Sequence, residues 1–308
     1  MRFTSATSLA LMLLAGAAQA ATLEVGAGKK YSMPSAAIAA AEAGDTVLID
    51  PGQYFDCAIV STPRLTIAGN GDAASVVMTD KTCGGKALLV IDAPNVTVRN
   101  LTLTRARVPD QNGAGIRMEG GNLTVDGVRF VNNQNGILTA ADPAWSLVVS
   151  NSLFDHNGSC REACAHGLYA GNIKLVHVEK SRFFGTKEAH HLKSRAARTE
   201  VIDCDIEDGP EGTASYLIEA PNGGALVVRG STLEKGPHAS NHTAAIIIGD
   251  EGVTQPTPEI TIENNTFTND MADHRTAFVS NDTATEAVLR GTRLHGAVDP
   301  LVGDGSVN

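Results

Sequence analysis

The stretch Val149–Phe154 reads VSNSLF, and its two large apolar residues, five positions apart, form a pattern that recurs along the chain. The same spacing occurs in eight pairs, which are Val98/Leu103, Val125/Phe130, Val149/Phe154, Val178/Phe183, Val201/Ile206, Val228/Leu233, Ile262/Phe267 and Leu289/Leu294. Successive pairs begin 23 to 34 residues apart. A repeat of this length, built from short β-rich runs without helical periodicity, indicates a solenoid.

The residue two positions after the first apolar member of each pair indicates a bend. In chain order it is Asn100, Gly127, Asn151, Lys180, Asp203, Gly230, Asn264 and Gly291. Asn and Gly tolerate left-handed backbone angles, which suits a tight bend between two short strands. Because one coil cannot bury its apolar side alone, stacked coils would share a continuous core. The sequence therefore predicts an all-β fold, a single-stranded right-handed parallel β-helix.

The segment Met33–Tyr54 reads MPSAAIAAAEAGDTVLIDPGQY and predicts a short helix from Pro34, stopped by Gly44, followed by a strand over Thr46–Asp50. The open end of a solenoid exposes unpaired backbone groups, so we expect this helix to cap the first coil. The run from AEAGD to the tyrosine resembles the opening coil of the pectin-lyase-like superfamily of right-handed β-helices. With the repeat, the resemblance spans roughly residues 31–296. It implies the fold, within a superfamily of polysaccharide lyases, glycoside hydrolases, uronan epimerases and binding proteins.

The first twenty residues are typical of a secretory signal peptide. They contain Arg2, the apolar run Leu9–Ala17 and an Ala18-Gln19-Ala20 cleavage site. We therefore expect an exported protein, periplasmic or secreted, with one domain over residues 21–308. No later apolar run has the length of a membrane span. The formal net charge of −10 argues against a nucleic-acid partner, and the oligomeric state is left open.

All five cysteines lie beyond the predicted signal peptide, in a compartment that permits disulfides. Cys57 and Cys83 are 26 residues apart, which places them on adjacent coils and within bridging distance. Cys160 and Cys164 flank a three-residue loop and are expected to pair. Cys204 is left as a buried free thiol that acts as a small apolar filler.

An unusual basic run lies near the middle of this acidic chain. Glu188–Thr199 reads EAHHLKSRAART, and the acid-rich VIDCDIEDGPEG of Val201–Gly212 follows it. Strand alternation predicts that Arg117, Tyr169 and Lys193 share one outer face. Glu219 joins this face if Tyr216 and Ile218 point inward, an arrangement that avoids burying a carboxylate. Titratable groups concentrate within residues 156–251, where a site for a sugar chain would be expected.

This basic run suggests β-elimination on an acidic polysaccharide, which needs a base, an acid and a cation for the substrate carboxylate. Lys193, crowded by neighbouring cations, is predicted to be a neutral base, with Tyr169 or Tyr216 as the acid. The candidate catalytic residues are Lys193, His191, Tyr169, Tyr216 and Glu219, with His191 expected on the same side as Lys193. The candidate substrate-binding residues are His190, Arg195, His166, Asn222, His238 and Asn241.

The HHLKSR stretch at 190–195 is similar to the catalytic coil of alginate lyase and chondroitinase-B-like lyases. There a strand lysine followed by serine acts as the base, which implies this role for Lys193. Those lyases also carry an arginine about one coil later, where this chain reads SYLIEAPNGG. The alternatives are a uronan epimerase, a polysaccharide-binding protein without activity, or a glycoside hydrolase that pairs Glu219 with Glu251 or Asp203.

The acidic run has two interpretations. Asp203, Asp205, Glu207, Asp208 and Glu211 could supply oxygen ligands to Ca²⁺, although their spacing does not fit an EF-hand. They could instead form a solvated bend whose charges pair with the basic coil above, and we favour this second interpretation. No cofactor is therefore certain, Ca²⁺ is possible, and no other metal site is expected.

Overall fold

A computed structural model describes residues 19–308 of the 308-residue chain. Nearly all of the predicted signal peptide lies outside the described residues, so that prediction stays a prediction. Within the described residues, no helix combines the length and the apolar character needed to cross a bilayer.

Three parallel β-sheets run along the molecule, and the chain visits sheets A, B and C in turn within each coil. Sheet A contains Thr22–Val25, Thr46–Ile49, Thr66–Gly69, Val96–Arg99, Leu123–Asp126, Asp142–Ser150, Ile173–Glu179, Arg198–Ile202, Ala225–Arg229, Ile260–Glu263, Ala287–Arg290 and Gly305–Val307. Sheet B contains Gly52–Tyr54, Val76–Thr79, Thr102–Thr104, Arg129–Val131, Leu153–Asp155, Arg182–Phe184, Asp205–Glu207, Thr232–Lys235, Thr266–Asn269 and Arg293–His295. Sheet C contains Ala58–Val60, Ala87–Asp92, Ala114–Gly120, Asn135–Thr139, Leu168–Ala170, Leu192–Ser194, Ile218–Ala220, Ala244–Ile248, Thr276–Asn281 and Val298–Gly303. The predicted parallel β-helix is confirmed.

The corner between sheets A and B is formed by the eight repeated pairs. In each pair the first apolar residue lies in sheet A and the second in sheet B, and equivalent residues of successive coils are in register, as Val125 is with Val98 and Val149. All eight predicted bend residues have φ between 46° and 64°. This left-handed backbone conformation is unusual for residues other than glycine, such as Lys180. The predicted bends are therefore confirmed in every repeat.

The interior is one continuous apolar core. Stacked phenylalanines mark its sheet B side, with ring centroids 4.7 Å apart for Phe130 and Phe154 and 4.2 Å apart for Phe154 and Phe183. The facing strand of sheet C passes close to this stack at Gly136, where a Cβ atom would lie 2.7 Å from Phe154 Cδ1. Glycine in sheet C thus leaves the space that the aromatic ring fills.

The N-terminal helix spans Pro34–Ala40 and buries Ala37 and Ile38. It packs on the first strands of sheets A and C, so it caps the N-terminal end of the solenoid as predicted. The helix ends before Gly44 because Ala41 already has extended backbone angles. The only other helical segment among residues 19–308 is a 3₁₀ turn over Ala73–Ser75.

The cysteines pair as the sequence predicts. Cys57 and Cys83 form a disulfide, and so do Cys160 and Cys164. The second disulfide closes an antiparallel hairpin of Ser159–Cys160 and Cys164–Ala165. Cys204 is free and 1 % exposed, and burial raises the pKa of its thiol to about 11.

Candidate functional site

A row of polar side chains lies on the outer face of sheet C. Tyr169 is in register with Lys193, and Lys193 with Glu219, on three successive coils. Ile218 points into the core, which leaves its neighbour Glu219 on the outer side of the strand. Arg117 lies in the same row, two coils before Tyr169. The predicted alignment of these four residues is confirmed.

The ammonium of Lys193 lies between two carboxylates. Its Nζ is 2.8 Å from Glu219 Oε2 and 2.7 Å from Glu251 Oε1. Burial alone would lower the pKa of Lys193, but these two carboxylates outweigh burial and raise it. The predicted neutral lysine is wrong, because the nearest charges are two carboxylates that come from later coils.

Glu219 is the most buried member of this group, at 2 % exposure. Burial would raise the pKa of its carboxyl, but the neighbouring ring of His190 and the ammonium of Lys193 hold it at about 2. The backbone N–H of Tyr216 donates to His190 Nδ1 at 3.2 Å. The ring proton of His190 is therefore on Nε2, which lies 3.1 Å from Glu219 Oε2.

The guanidinium of Arg195 joins the rest of the site through all three of its nitrogens. Nε donates to the Tyr169 hydroxyl at 3.0 Å, and Nη2 donates to Glu251 Oε2 at 2.6 Å. Nη1 donates to Asn222 Oδ1, whose amide nitrogen donates in turn to the carbonyl of Gly252 at 3.1 Å. We refer to Tyr169, Lys193, Arg195, Glu219 and Glu251 as the Lys193 cluster.

A second row, of aromatic side chains, borders the Lys193 cluster. The ring centroids of His166 and His190 are 4.9 Å apart, and those of His190 and Tyr216 are 5.3 Å apart. His166 is buried, and this burial, followed by the neighbouring His190 and the positive charge of Lys193, lowers its pKa well below the usual value. Its Nδ1 accepts the backbone N–H of His190 at 3.2 Å. His166 is therefore a neutral ring that supports the row.

Tyr216 and His191 do not lie where strand alternation places them. The Tyr216 ring packs outside the core, on an apolar cluster that includes Ile247. His191 is fully buried, with Nδ1 2.9 Å from Thr186 Oγ1 and Nε2 2.9 Å from Asp208 Oδ1. The prediction that His191 faces the same side as Lys193 is wrong. Both residues precede the first residue of their strands, so the alternation rule does not apply to them.

His238 and Asn241 lie in the loop of residues 236–243 that enters sheet C. His238 is exposed, and Asn241 Nδ2 donates to Ser215 Oγ at 3.3 Å. Within residues 19–308, neither side chain hydrogen-bonds to the Lys193 cluster. The structure therefore places Asn241 beside Ser215, next to Tyr216 of the aromatic row, and His238 on the exposed part of the same loop.

The acidic run takes part in pairs with basic side chains. Asp208 holds buried His191, and Glu207 Oε2 lies 2.8 Å from Arg182 Nη2. Asp203 forms one of the left-handed bends. Within residues 19–308, no three His, Cys, Asp or Glu side chains are grouped as a metal site would require. The possible role of Ca²⁺ stays a prediction.

Asp250 is the residue of this region that the sequence analysis missed. Burial, and then the negative charges of Glu219 and Glu251, raise its pKa to about 6. Asp250 and Glu251 belong to a turn of residues 249–259 between sheets C and A. Val228 and Ile262 are 34 residues apart, the longest interval between successive pairs. Its extra residues lie in this turn and in the loop of residues 236–243, so the long interval was the signal in the sequence.

Two surface depressions lie elsewhere, among the loops between sheets B and C. One, of about 400 Å³, is lined by Pro109, Asp110, Gln111, Arg161, Glu162 and Ala163. The other, of about 340 Å³, is lined by Gly158, Ser159, Lys187, Glu188, Glu211 and Thr213. Neither includes a residue of the Lys193 cluster, which lies instead on the open face of a sheet.

Comparison with known families identifies the family to which this fold belongs. The sequence profile described as "Right handed beta helix region" matches residues 66–233, more than half of the chain. The chain belongs to this right-handed β-helix family. A search of curated protein sequences finds no match to this β-helix.

Solved structures of similar fold cover most of the β-helix. An alginate lyase from Paenibacillus sp. str. FPU-7 is 16% identical, with a TM-score of 0.58, over 93% of this chain and 99% of that chain. A rice weevil pectin methyl esterase is 12% identical, with a TM-score of 0.51, over 70% and 77%. The pectate lyase Pel9A is 14% identical, with a TM-score of 0.50, over 92% and 79%. At these identities the likeness establishes the fold alone.

Proposed function

We propose that this β-helix cleaves an acidic polysaccharide by β-elimination at the Lys193 cluster. The observation that carries the proposal is the Tyr169 hydroxyl, held by Arg195 Nε at 3.0 Å beside the Lys193 ammonium on the open face of sheet C. A proton-transfer group next to two fixed cations is what elimination beside a sugar carboxylate requires. The alginate lyase and pectate lyase of similar fold are compatible with this chemistry.

The electrostatics of the site reverse the roles first predicted for Tyr169 and Lys193. A lysine whose pKa is raised by two carboxylates can give a proton but does not readily take one. We therefore assign Lys193 as the acid and the Tyr169 phenolate as the base. Two cations accompany this tyrosine, since Arg195 donates a hydrogen bond to its hydroxyl and Lys193 Nζ lies 5.9 Å from its ring centroid.

The proposed reaction conserves atoms and charge. The Tyr169 phenolate takes the C5 proton of a uronate, the C5–H electron pair forms the C4=C5 bond, and the C4–O4 bond breaks. Lys193 gives its proton to O4, and the proton on Tyr169 returns to Lys193 through solvent. Lys193 and Arg195 stabilise the enolate-like intermediate by neutralising the carboxylate. The products are an unsaturated uronate and a shortened chain, with no water added.

The surrounding side chains are proposed to contact the sugar chain rather than to transfer protons. His190 and Tyr216 form a row beside Lys193 that buried His166 supports, and Asn222 lies at the opposite end of Arg195. His191 is excluded from this role because its ring is fully buried.

A glycoside hydrolase is the second candidate, favoured by one observation. The pKa values of Glu219, about 2, and Asp250, about 6, are separated in the way that an ionised carboxylate and a carboxylic acid of a hydrolase would need. Glu219 is only 2 % exposed, however, and Lys193 and His190 both contact its Oε2. This burial keeps the carboxylate from a sugar carbon, so elimination is the better supported reaction.

The first experiment is a screen of alginate, pectate, glycosaminoglycans and bacterial exopolysaccharides. We expect ultraviolet absorbance from an unsaturated uronate. Tyr169→Phe and Lys193→Ala should lower kcat/KM by at least about 100-fold. Tyr31→Phe and Lys174→Ala, which lie outside the Lys193 cluster, should leave it unchanged. Reducing ends without absorbance would instead indicate a hydrolase, inversion at C5 without cleavage an epimerase, and binding without any product a binding protein.

A second experiment separates the base from the acid. In D₂O, exchange of the C5 proton reports on the base even when no bond to O4 breaks. Lys193→Ala should still exchange this proton without cleaving the polymer, whereas Tyr169→Phe should do neither. The opposite pattern would restore Lys193 as the base and Tyr169 as the acid.

A further inference from the structure

The carboxylate of Glu251 bridges the two cations of the Lys193 cluster. Oε1 lies 2.7 Å from Lys193 Nζ, and Oε2 lies 2.6 Å from Arg195 Nη2. The Glu251 side chain is 41% exposed, whereas those of Lys193 and Arg195 are 10% and 25% exposed. An exposed carboxylate thus covers two less exposed cations.

We propose that Lys193 and Arg195 form a binding site for a sugar carboxylate and that Glu251 occupies this site in the free protein. Glu251 is then a specificity-determining residue, since a ligand has to replace its carboxylate. The inference rests on the proposed function for the identity of the ligand, a uronate, and goes beyond it in assigning Glu251 as the internal competitor for the carboxylate site.

The two cations are held in place without Glu251. Tyr169 fixes Arg195 through Nε, and Asn222 fixes it through Nη1. Glu219 holds Lys193 from the buried side. Removal of the Glu251 carboxylate would therefore leave a guanidinium N–H and an ammonium aimed at the same place. Such a pair of donors suits the two oxygens of a carboxylate.

Release of Glu251 needs only a rotation of its side chain. The backbone of its turn is tied to the preceding coil, since Glu251 N donates to the carbonyl of Pro221 at 3.1 Å and Gln255 N to that of Asn222 at 2.9 Å. The amide of Asn222 also donates to the carbonyl of Gly252. The exposed carboxylate can therefore turn into solvent while the turn stays in place.

Charge balance explains why this residue affects selectivity. With Glu251 in place, the cations Lys193 and Arg195 face the carboxylates of Glu219 and Glu251, so an approaching anion meets no net positive charge. Without the Glu251 charge, the four groups carry one net positive charge. A carboxylate ligand would gain from that change, and a neutral sugar would not.

The test measures binding of D-glucuronate, with D-glucose as the neutral probe, to the full chain by NMR titration. Glu251→Gln and Glu251→Ala should bind glucuronate about tenfold more tightly than the parent protein, with glucose binding unchanged. Glu259→Gln is the matched control, because Glu259 lies in the same turn and pairs with Arg198 at 2.6 Å, outside the cluster. Arg195→Ala combined with Glu251→Gln should lose the gain.

Unchanged or weaker glucuronate binding in both folded Glu251 variants would overturn the inference. On a cleaved polymer, Glu251→Gln should lower KM by a similar factor. If no polymer is cleaved but both variants gain affinity, the lyase proposal fails and the carboxylate site stands. If a polymer is cleaved and neither KM nor glucuronate affinity changes, the lyase proposal stands and this inference fails.

Discussion

At the scale of single residues, Cys204 occupies a hydrogen-bonded position just inside the corner between sheets A and B. Its N–H donates to Ser231 Oγ at 3.1 Å, and its Sγ lies 3.3 Å from the carbonyl oxygen of Ile202. The backbone of Ser181, one coil earlier, hydrogen-bonds the Cys204 sulfur. Serine occupies this position in the coils on either side, at Ser181 and Ser231.

We therefore expect Cys204→Ser to be nearly neutral and Cys204→Ala to be destabilising. The serine hydroxyl can accept and donate as the thiol does, so the free energy of unfolding should change by less than about 1 kcal/mol. Alanine leaves a buried N–H without its partner and should cost about 1–3 kcal/mol. Urea denaturation of both variants measures the difference, and a serine variant less stable than the alanine variant would contradict the expectation.

Glu234 is a half-buried carboxylate that should destabilise the fold at neutral pH. Burial, followed by the negative charges of Asp208, Asp270 and Glu207, raises its pKa from 4.5 to about 7. Because the folded pKa is the higher one, stability is lost as pH rises from about 4.5 through 7.

Glu234→Gln should remove this loss. Because solvent reaches this half-buried carboxyl and screens it, we expect the variant to be more stable than the parent by only about 1–2 kcal/mol at pH 8 and no more stable at pH 4. The glutamine oxygen can still accept the N–H of Gly209, which donates to Glu234 Oε2 at 2.7 Å. Urea denaturation at both pH values tests this, and equal destabilisation at both would show that the carboxylate is needed for packing.

The shared row of Tyr169, Lys193 and Glu219 could be predicted from the sequence, but the ion-pair partners that set its electrostatics could not. Alternation about Lys193 placed Tyr169 and Glu219 correctly, because all three lie within strands. The charge state of Lys193 depends first on Glu219, one coil later, and then on Glu251, which is 58 positions away along the chain. Counting charges next to a residue in the sequence therefore gave the wrong sign for the pKa shift.

At the scale of elements, the disulfides provide a matched comparison. Cys57–Cys83 has a sequence separation of 26 and Cys160–Cys164 a separation of 4. In the chain-entropy account, the longer loop constrains the unfolded chain more. Replacing both cysteines of the first pair by serine should cost about 2–4 kcal/mol, and replacing those of the second pair should cost less. Equal losses in urea denaturation would contradict this account.

Element boundaries were predicted well where the chain bends sharply and less well where a helix ends. The bends were found because each needs a left-handed residue at one fixed position, as at Asn151 and Gly230. The helix ends at Ala40, before the predicted stop at Gly44, because Ala41 turns into extended backbone without a glycine. No single residue type marks that change.

At the scale of the whole molecule, the stability of a solenoid depends on contacts between neighbouring coils. Phe154→Ala, in the middle of the phenylalanine stack, should lower the free energy of unfolding by about 3–5 kcal/mol. Leu289→Ala, close to the C-terminal coil, should instead speed amide exchange mainly in residues 287–307. Hydrogen-exchange mass spectrometry distinguishes the global effect of the first variant from the local effect of the second. Global loss of protection in the Leu289 variant would contradict the view that each coil is stabilised mainly by its neighbours.

The fold was more predictable than the site because its physical requirement recurs in each coil. Eight repeats of one spacing give eight independent signals for the same core and bend. The Lys193 cluster occurs once, and its members come from three coils and from the long turn of a fourth coil. A unique arrangement of this kind leaves no periodic signal in the sequence.

The A–B corner determines where this protein can accept changes in chain length. Each of the eight bends leaves two residues between a sheet A strand and a sheet B strand, while the spacing of successive repeats varies from 23 to 34 residues. That variation therefore falls in the rest of each coil, in the strands of sheet C and in the two corners that border them. Insertions or deletions during evolution would reshape the surroundings of Tyr169 and Lys193 and leave the stacking of the coils intact. New substrate preferences could thus arise on this scaffold without redesign of its interior.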